Sequence, residues 1–582
     1  MCTHFSDNPS SSRCEKDELC VYNYSCPSNS NCSVSNPLAM IAFDRALFYK
    51  GFLLTSAVRL RHLAESTEVS KAIYIRLKSY HRRLASEYAL PINERTGVAE
   101  LEDNANAIEK ELVNTVAGYS KNVQQLKWQE VKKALQKNEA AIEFVRFEFN
   151  FPKATDSIMY VALLIKENAS APILISMFEE KTLDSLLLSK SERKADYVNS
   201  LYSLSDRGAI SIEAPKKSLY EIVWKQLEKE LGGIKTIYFS PTGLLHRINL
   251  DAIPISETAT LADKYQLIEL NSTRQLVIPT QIKIKNNYAV LFGGIQFEQD
   301  TAIQNNEPLI ASRSSGELSF QLVDTTLRGG SWNYLAGTER EVYAIEKIMQ
   351  TSGIRTTLNT GYLATEESFK NIGNNNSPSP RILHIATHGY FFPDDRANSA
   401  KSGVAHDSAA SEELVRPMAE TAKAATTRPR VELETEESVF KMSEHPMLRS
   451  GLILAGGNAA WQGKQTLEGR EDGILTAYEI SQMNLSNTEL VVLSACETGL
   501  GDIQGNEGVY GLQRAFKIAG AKFLIMSLWQ VPDKQTSLLM TTFYKKWLED
   551  KMAIPNAFHA AQKELREIGL DPYQWAGFVL VE

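Results

Sequence analysis

Apolar residues recur at helical spacing between about residue 37 and residue 139. The repeat is carried by Ile73, Leu77, Tyr80 and Leu84 and again by Ile108, Leu112 and Val116. Steps of three and four residues bring side chains onto one face of a helix. We therefore expect an α-helical region over residues 37–139, built from antiparallel amphipathic helices that bury these stripes.

After residue 140 the pattern changes to short, continuous apolar runs separated by helical stretches. The runs are YVALLI (160–165), TIYFS (236–240), YAVLFGG (288–294), ILHIATHG (382–389), LVVLSAC (490–496), FLIMSLW (523–529) and FVLV (578–581). Continuous rather than alternating apolar character is typical of strands buried on both faces. The pattern predicts an α/β fold whose mostly parallel sheet carries helices on both faces.

Two segments have almost no large apolar residues. Residues 1–36 are rich in Ser, Asn and Cys, with cysteines at 2, 14, 20, 26 and 32. Their spacing does not match common zinc modules, so we expect a disordered leader, with a disulfide scaffold or an unusual metal tract as the alternatives. Residues 394–438 are rich in Ala, Ser, Thr and Glu, and we expect a mobile insertion.

The overall charge excludes some partners. A net charge of −8 and a sequence pI near 5.8 provide no basic field for phosphates, and we expect no nucleic-acid partner. No apolar run approaches the length that spans a bilayer, and the N-terminus lacks the apolar core of a signal peptide. We expect a cytoplasmic protein with no membrane span.

Two of the strand-like runs end in residues whose side chains can take part in catalysis. ILHIATHG brings His388 and Gly389 to the end of one run, and LVVLSAC brings Cys496 to the end of another. Ligands and reacting groups collect beyond the carboxyl ends of parallel strands. If the two strands are neighbours, His388 can transfer the proton of the Cys496 thiol, and a helix expected to begin near Gly508 can add its dipole.

Less reactive roles compete with this hypothesis. A lone cysteine such as Cys496 is more often a core residue than a nucleophile. His384 is more typical of a structural histidine than of a second base, and Glu497 can be a solvated loop residue. GGNAAWQGKQT (456–466) has the wrong spacing for a phosphate loop. The sequence also contains no serine-hydrolase elbow and no zinc-protease helix motif.

The run LHIATHGYF followed by LVVLSACETGLGD resembles the CHAT domain, a caspase-like and separase-related cysteine peptidase family often attached to tetratricopeptide repeats. Two further segments resemble the same family, SPTGLLHRINLDAIP (240–254) and AGTEREVYAIEKIM (336–349). The resemblance covers about residues 160–582 and implies a caspase-like fold over 140–582. Residues 140–340 would form a pseudo-caspase half and 341–582 a catalytic half. Residues 37–139 would be the connector, and no clear repeat array precedes them.

The resemblance implies a cysteine endopeptidase that cleaves a protein through a thioester. The family's catalytic histidine falls on His388 and its nucleophile on Cys496, and the position of these residues at the strand ends also makes the amides of Gly389 and Cys496 the expected oxyanion hole. Asp533 would bind a basic P1 side chain, although it can equally cap a helix. No metal or organic cofactor is implied, and an activating protein partner is expected. The alternative is a catalytically silent CHAT-fold signalling scaffold.

Overall fold

A computed structural model describes most of the chain. The described residues are 37–90, 95–116, 125–150, 155–187, 193–203, 217–279, 284–299, 330–373, 378–393, 443, 445–464, 470–504 and 507–582. The expectations for residues 1–36 and 394–438 lie outside this part of the chain. Among the described residues, no helix is both long and apolar enough to cross a membrane.

In the described part of the chain, five helices precede the first strand and form the N-terminal helical segment. They are α1 (Pro37–Tyr49), α2 (Phe52–Ala64), α3 (Glu68–Ala89), α4 (Val98–Thr115) and α5 (Trp128–Ala134). The apolar stripe that begins at Ile73 packs against the stripe that begins at Ile108, and α3 and α4 share this small core with Leu60 and Ala64 of α2. The periodicity of the sequence therefore reflects burial between these two helices.

Sixteen strands follow among the described residues. They are β1 (Glu139–Glu148), β2 (Ile158–Lys166), β3 (Ile173–Glu179), β4 (Thr236–Ser240), β5 (Gln266–Glu269), β6 (Tyr288–Ile295), β7 (Arg355–Gly361), β8 (Ile382–Ala386), β9 (His388–Phe391), β10 (Ser450–Ile453), β11 (Ile474–Thr476), β12 (Leu490–Ser494), β13 (Gly501–Gln504), β14 (Gly508–Gly511), β15 (Phe523–Ser527) and β16 (Phe578–Val581). Eleven form one sheet in the order β3-β2-β1-β4-β5-β16-β15-β12-β8-β6-β7. Another three-stranded sheet has the order β11-β10-β9, and β13 pairs with β14.

The large sheet contains two parallel blocks that run in opposite directions. In the first block, β1, β4, β5 and β16 are parallel. In the second block, β15, β12, β8, β6 and β7 are parallel. Because β16 is antiparallel to β15, the carboxyl ends of the two blocks lie at opposite edges of the sheet.

The remaining α-helices are α6 (Glu180–Leu187), α7 (Lys194–Leu201), α8 (Lys225–Glu228), α9 (Leu261–Lys264), α10 (Ala336–Thr351), α11 (Glu366–Lys370), α12 (Gly457–Trp461), α13 (Ala477–Ser481), α14 (Leu512–Ala519), α15 (Asp533–Tyr544), α16 (Ile554–Glu567) and α17 (Pro572–Trp575). Helices cover both faces of the first block. Along β1, Ile142 and Phe144 face the main core, whereas Ala141 and Val145 face α1 and α5. In the second block, α10 packs on β6, β7 and β8 and also against α15.

The predicted fold class is confirmed, but three local expectations are wrong. The strand that leads to His388 ends at Ala386, and His388 begins β9 in the smaller sheet. This change of sheet occurs at Thr387, whose hydroxyl donates to the Ile453 carbonyl. The strand before Cys496 ends at Ser494.

The third difference concerns the helix expected near Gly508. Residues Gly508–Gly511 form β14, which pairs with β13, and the helix begins at Leu512. Gly508 has a φ of +79°, a conformation that suits a turn better than a helix.

Candidate active site

Cys496 lies two residues beyond β12 in a loop that is anchored to β15. The Ala495 carbonyl accepts hydrogen bonds from the hydroxyls of Ser527 at 2.6 Å and Thr498 at 3.2 Å. The Ser527 amide in turn donates to the Thr498 hydroxyl at 3.1 Å, and the Gly499 amide donates to the Ser527 carbonyl at 2.7 Å. These contacts hold the half-buried free thiol of Cys496 beyond the carboxyl end of its strand.

His388 lies beyond the neighbouring strand. β8 and β12 are parallel partners, and Ala386 lies opposite Ser494, so His388 and Cys496 follow adjacent strands at the same edge of the sheet. The Nε2 atom of His388 lies 2.8 Å from the carbonyl oxygen of Asn333. Because a carbonyl only accepts hydrogen bonds, Nε2 carries the proton and Nδ1 of the neutral ring is free to act as a base.

At Gly389, strand β9 comes into close contact with the loop that carries Cys496. A methyl group placed on Gly389 would lie 2.9 Å from the Cys496 carbonyl oxygen and 2.9 Å from Cγ2 of Thr498. These distances are shorter than ordinary van der Waals contacts. The absence of a side chain at Gly389 therefore allows β9 to approach the Cys496 loop.

Aromatic residues that the sequence analysis did not single out enclose the imidazole of His388. The rings of Phe297 and Trp332 lie 5.0 Å and 4.9 Å from it. Asn458, which is fully buried, accepts a hydrogen bond from the Trp332 amide at 2.7 Å and donates one to the Trp332 carbonyl at 3.1 Å. The segment rejected as a phosphate loop thus supports the wall beside His388.

Burial keeps both reactive groups neutral in this conformation. It raises the pKa of the Cys496 thiol to about 12, with smaller contributions in the same direction from Glu497 and Asp533. Burial also lowers the pKa of His388 to about 4, against an opposing effect of the hydrogen bond to Asn333. Around neutral pH the arrangement therefore contains a thiol and an imidazole rather than a thiolate and an imidazolium.

Asp533 begins α15, and Pro532 occupies the N-cap position. Asp533 is therefore not the capping residue, although its carboxylate lies in the first helical turn. It is exposed, and it packs against Gly337 near the start of α10, where an added methyl group would lie 2.7 Å from the Asp533 Cβ. Its charge raises the pKa of the thiol, so Asp533 and Cys496 belong to one electrostatic environment.

Glu497 adopts a left-handed backbone conformation with a φ of +57°, which is uncommon for a residue with a side chain. Its carboxylate pairs with the ammonium of Lys194 at the start of α7. Further along α7, the side chain of Asn199 accepts a hydrogen bond at 2.9 Å from the amide of Tyr573. Contacts of helix α7 therefore link Glu497, which follows Cys496, to Tyr573 in the segment that precedes β16.

The structure supports the interpretation of His384 as a structural residue. Its side chain is fully buried, with Nε2 2.9 Å from a Glu341 carboxylate oxygen and Nδ1 3.3 Å from the Tyr544 hydroxyl. These contacts join β8 to α10 and α15. Both ring nitrogens are occupied, so His384 is not free to act as a second base.

One carboxylate cluster among the described residues has a spacing that suits a metal ion. It comprises Glu366, Glu471 and Glu479. The ammonium of Lys370 lies 2.6, 2.9 and 2.7 Å from these three carboxylates respectively. The lysine supplies the positive charge that the cluster requires, so we interpret the cluster as a structural ion-pair network.

The CHAT domain family matches residues 213–582, which is more than half of the chain. The protein therefore belongs to the CHAT domain family. Tetratricopeptide repeat protein 28 of Mus musculus is 31% identical over 109 residues, and that of Homo sapiens is 31% identical over 111 residues. Each match covers 19% of this chain and 4% of the relative, so the chain spans a small part of these relatives' length.

Two solved structures show distant similarity. The Arg-specific cysteine proteinase gingipain R matches with 9% identity and a TM-score of 0.32, over 61% of this chain and 65% of its own. The Saccharomyces cerevisiae separase–securin complex matches with 9% identity and a TM-score of 0.36, over 91% of this chain and 37% of its own. Membership of the family rests on the match over residues 213–582.

Proposed function

We propose that this protein is a cysteine endopeptidase that acts on a protein substrate, with Cys496 as nucleophile and His388 as base. The observation that carries the proposal is the parallel pairing of β8 with β12, together with the close approach of Gly389 to the Cys496 carbonyl. Family membership adds support. Residues 140–340 and 341–582 would be the pseudo-caspase and catalytic halves, with residues 37–139 as the connector.

In the proposed reaction, Cys496 Sγ attacks the scissile carbonyl while Nδ1 of His388 takes the thiol proton. The amides of Gly389 and Cys496 donate to the oxyanion of the tetrahedral intermediate. Collapse breaks the C–N bond, the imidazolium returns the proton to the leaving amine, and a thioester remains. Water then adds to the thioester with His388 as base, which releases the acid product and restores the thiol.

The test is cleavage of fluorogenic peptides and candidate partner proteins by wild type and by Cys496→Ala. Wild type should release product, whereas the alanine variant should be inactive because it lacks the nucleophile. Cleavage that persists in Cys496→Ala would contradict the mechanism. His388→Ala should lose most of the activity at every pH, since no other described group replaces the base at that position.

We further propose that Asp533 favours Arg or Lys at P1. A carboxylate binds a guanidinium through charge-assisted hydrogen bonds, so Asp533→Asn should lower kcat/KM for Arg peptides by about 10- to 100-fold. Neutral P1 peptides should be affected much less. Asp550→Asn is the control, because Asp550 is exposed beyond the far end of α15. An equal loss for both peptide classes would exclude the specificity role.

A signalling scaffold without turnover is the second candidate, and the raised pKa of the Cys496 thiol favours it. A thiol of this kind is also expected of a latent enzyme that awaits an activating protein. A thiol-directed probe distinguishes the two. Labelling of Cys496 that increases when a partner is added indicates latency, whereas no labelling under any such condition indicates a scaffold.

A further inference from the structure

Arg449 lies immediately before β10, and its side chain is almost completely buried, with 2% exposed. Its Nε donates to the Phe392 carbonyl at 3.2 Å, and its Nη1 donates to the Ser443 carbonyl at 2.6 Å. Its Nη2 forms an ion pair with Asp502. A guanidinium is suited to this arrangement because its donors point in several fixed directions from one plane.

The acceptors belong to the two segments that carry the candidate catalytic residues. Phe392 directly follows β9, the strand that begins with His388. Asp502 lies in β13, which begins a few residues after Cys496. One buried side chain therefore joins the continuation of the His388 strand to the continuation of the Cys496 loop.

The link matters because the two segments belong to different sheets. β9 pairs with β10 in the three-stranded sheet, whereas β13 pairs with β14 in a separate two-stranded sheet. Among the described strands, main-chain pairing therefore does not join β9 to β13. The guanidinium crosses between these sheets, and its burial makes the ion pair with Asp502 far less exposed to solvent screening than a surface pair.

We propose that Arg449 is a positioning residue that keeps His388 aligned with Cys496. The proposal rests on the proposed function for its enzymatic consequence, although the alignment itself can be measured without turnover. Arg449 acts through the two segments and touches neither reacting atom in the proposed reaction. Loss of the guanidinium should allow β13 and the end of β9 to move apart, because the guanidinium contacts both Phe392 and Asp502.

The experiment uses a single-cysteine chain in which Cys2, Cys14, Cys20, Cys26 and Cys32 are replaced by serine. Alkylation of Cys496 by iodoacetamide is followed from pH 6 to pH 11, with and without His388→Ala, in the parent and in Arg449→Met. In the parent, His388→Ala should slow alkylation several-fold at pH values below the pKa of the thiol. In Arg449→Met, His388→Ala should change the profile little, because the imidazole is already misaligned.

Three variants separate positioning from stability. Arg449→Lys keeps the positive charge beside Asp502 but can donate hydrogen bonds to fewer acceptors. Its alkylation profile should therefore fall between those of the parent and Arg449→Met. Asp502→Asn should resemble Arg449→Met in the dependence on His388. Arg146→Met is the matched control, because Arg146 forms a bidentate ion pair with Glu180 in the first block. It should leave the Cys496 profile unchanged.

The outcomes distinguish the two proposals. If wild type cleaves peptides, Arg449→Met should lower kcat by on the order of 100-fold with a smaller change in KM. If no chain cleaves peptides, alone or with candidate partner proteins, but the effect of His388→Ala disappears in Arg449→Met, positioning stands and the peptidase proposal falls. If Arg449→Met retains the full His388 effect, or if His388→Ala has no effect in the parent, the positioning role is overturned.

Discussion

Around Cys496, burial and local charge act in the same direction. Desolvation is the largest cause of the raised pKa of the thiol, and the Glu497 and Asp533 carboxylates disfavour the thiolate further. Lys194 opposes them, but its ammonium is paired with Glu497. Asp533, proposed above to bind a basic P1 side chain, therefore also raises the pKa of the thiol, and a bound Arg or Lys side chain would offset that part of the effect.

The first prediction concerns the pH dependence of this thiol. In the single-cysteine chain, alkylation of Cys496 should rise only well above pH 10, because the pKa of the thiol is raised to about 12. Glu497→Gln should shift the profile to lower pH by removing a negative charge. The Cys496→Ser chain gives the background rate. A midpoint near 8.5, the ordinary value for a free cysteine, would contradict the prediction.

The second prediction concerns Gly389. Gly389→Ala should abolish peptide cleavage, or strongly reduce Cys496 labelling, because its methyl group would press on the Cys496 carbonyl and on Thr498. Gly232→Ala is the matched control, since an added methyl group there meets nothing within 4 Å. Activity and labelling are measured together with thermal unfolding. Wild-type behaviour of Gly389→Ala would show that the contact can relax without consequence.

At the scale of elements, a buried ammonium adds to the apolar packing that joins the N-terminal helical segment to the first block. Lys50 lies between α1 and α2, and its Nζ lies 3.1 Å from a Glu143 carboxylate oxygen. It also donates to the carbonyls of Phe144 at 2.9 Å and Ser240 at 2.7 Å. Burial lowers the pKa of Lys50, and the charge of Glu143 opposes this effect. The helices and the sheet are therefore coupled through a desolvated ion pair.

The third prediction is that Lys50→Met lowers the free energy of unfolding by about 3–5 kcal/mol, because it leaves the buried Glu143 carboxylate without its cation. Adding Glu143→Gln should restore part of the loss. Lys127→Met is the control and should cost about 1 kcal/mol or less, since its pair with Asp44 is more exposed. Urea unfolding followed by tryptophan fluorescence measures each value. Equal losses for the two lysine variants would contradict the prediction.

Strands buried on both faces could be predicted from sequence, because an uninterrupted apolar run is what such burial requires. β4 and β16 coincide with their runs TIYFS and FVLV. β7 was missed, since it is an edge strand with the polar sequence RTTLNTG. The sequence pattern also contains no sign that β16 runs antiparallel to β15, because strand direction depends on how distant segments pack.

In the candidate site, too, some features could be predicted from the sequence and others depend on tertiary structure. The position of a residue beyond a buried strand was enough to bring His388 and Cys496 to one edge of the sheet. Asn333 was missed because it contacts His388 through its backbone carbonyl, and any residue type supplies such a group. Arg449 was missed because its partners are carbonyls and a distant carboxylate. Contacts of this kind depend on tertiary structure and produce no local sequence pattern.

For the whole molecule, buried titratable groups make stability depend on pH in opposing directions. Burial lowers the pKa of His246 to about 3 and raises that of Glu269 to about 8. Between pH 3 and 6.5 the unfolded chain binds more protons at His246 than the folded chain does, so this histidine reduces stability as the pH falls. Between about pH 4.5 and 8, Glu269 instead reduces stability as the pH rises.

The fourth prediction isolates the histidine by comparing variants. Below pH 6.5 the free energy of unfolding of wild type should fall relative to that of His246→Gln by up to about 1.4 kcal/mol per pH unit. The carboxylate contributions are common to both chains and cancel. His62→Gln, at an exposed position on α2, controls for the substitution itself. Parallel curves for wild type and His246→Gln would show that His246 does not remain neutral in the folded chain.

The position of β16 between the two blocks constrains the order of events during synthesis. β16 is the last of the described strands along the chain, yet it lies within the large sheet between β5 and β15. Until Phe578–Val581 emerges from the ribosome, β5 and β15 each have an unpaired edge. Such edges are sites of aggregation. The pairing of β16 with β5 joins Val581 to Glu269 and can form only after the end of this sheet has been synthesised, so we expect closure of the large sheet to be a late and slow step of folding.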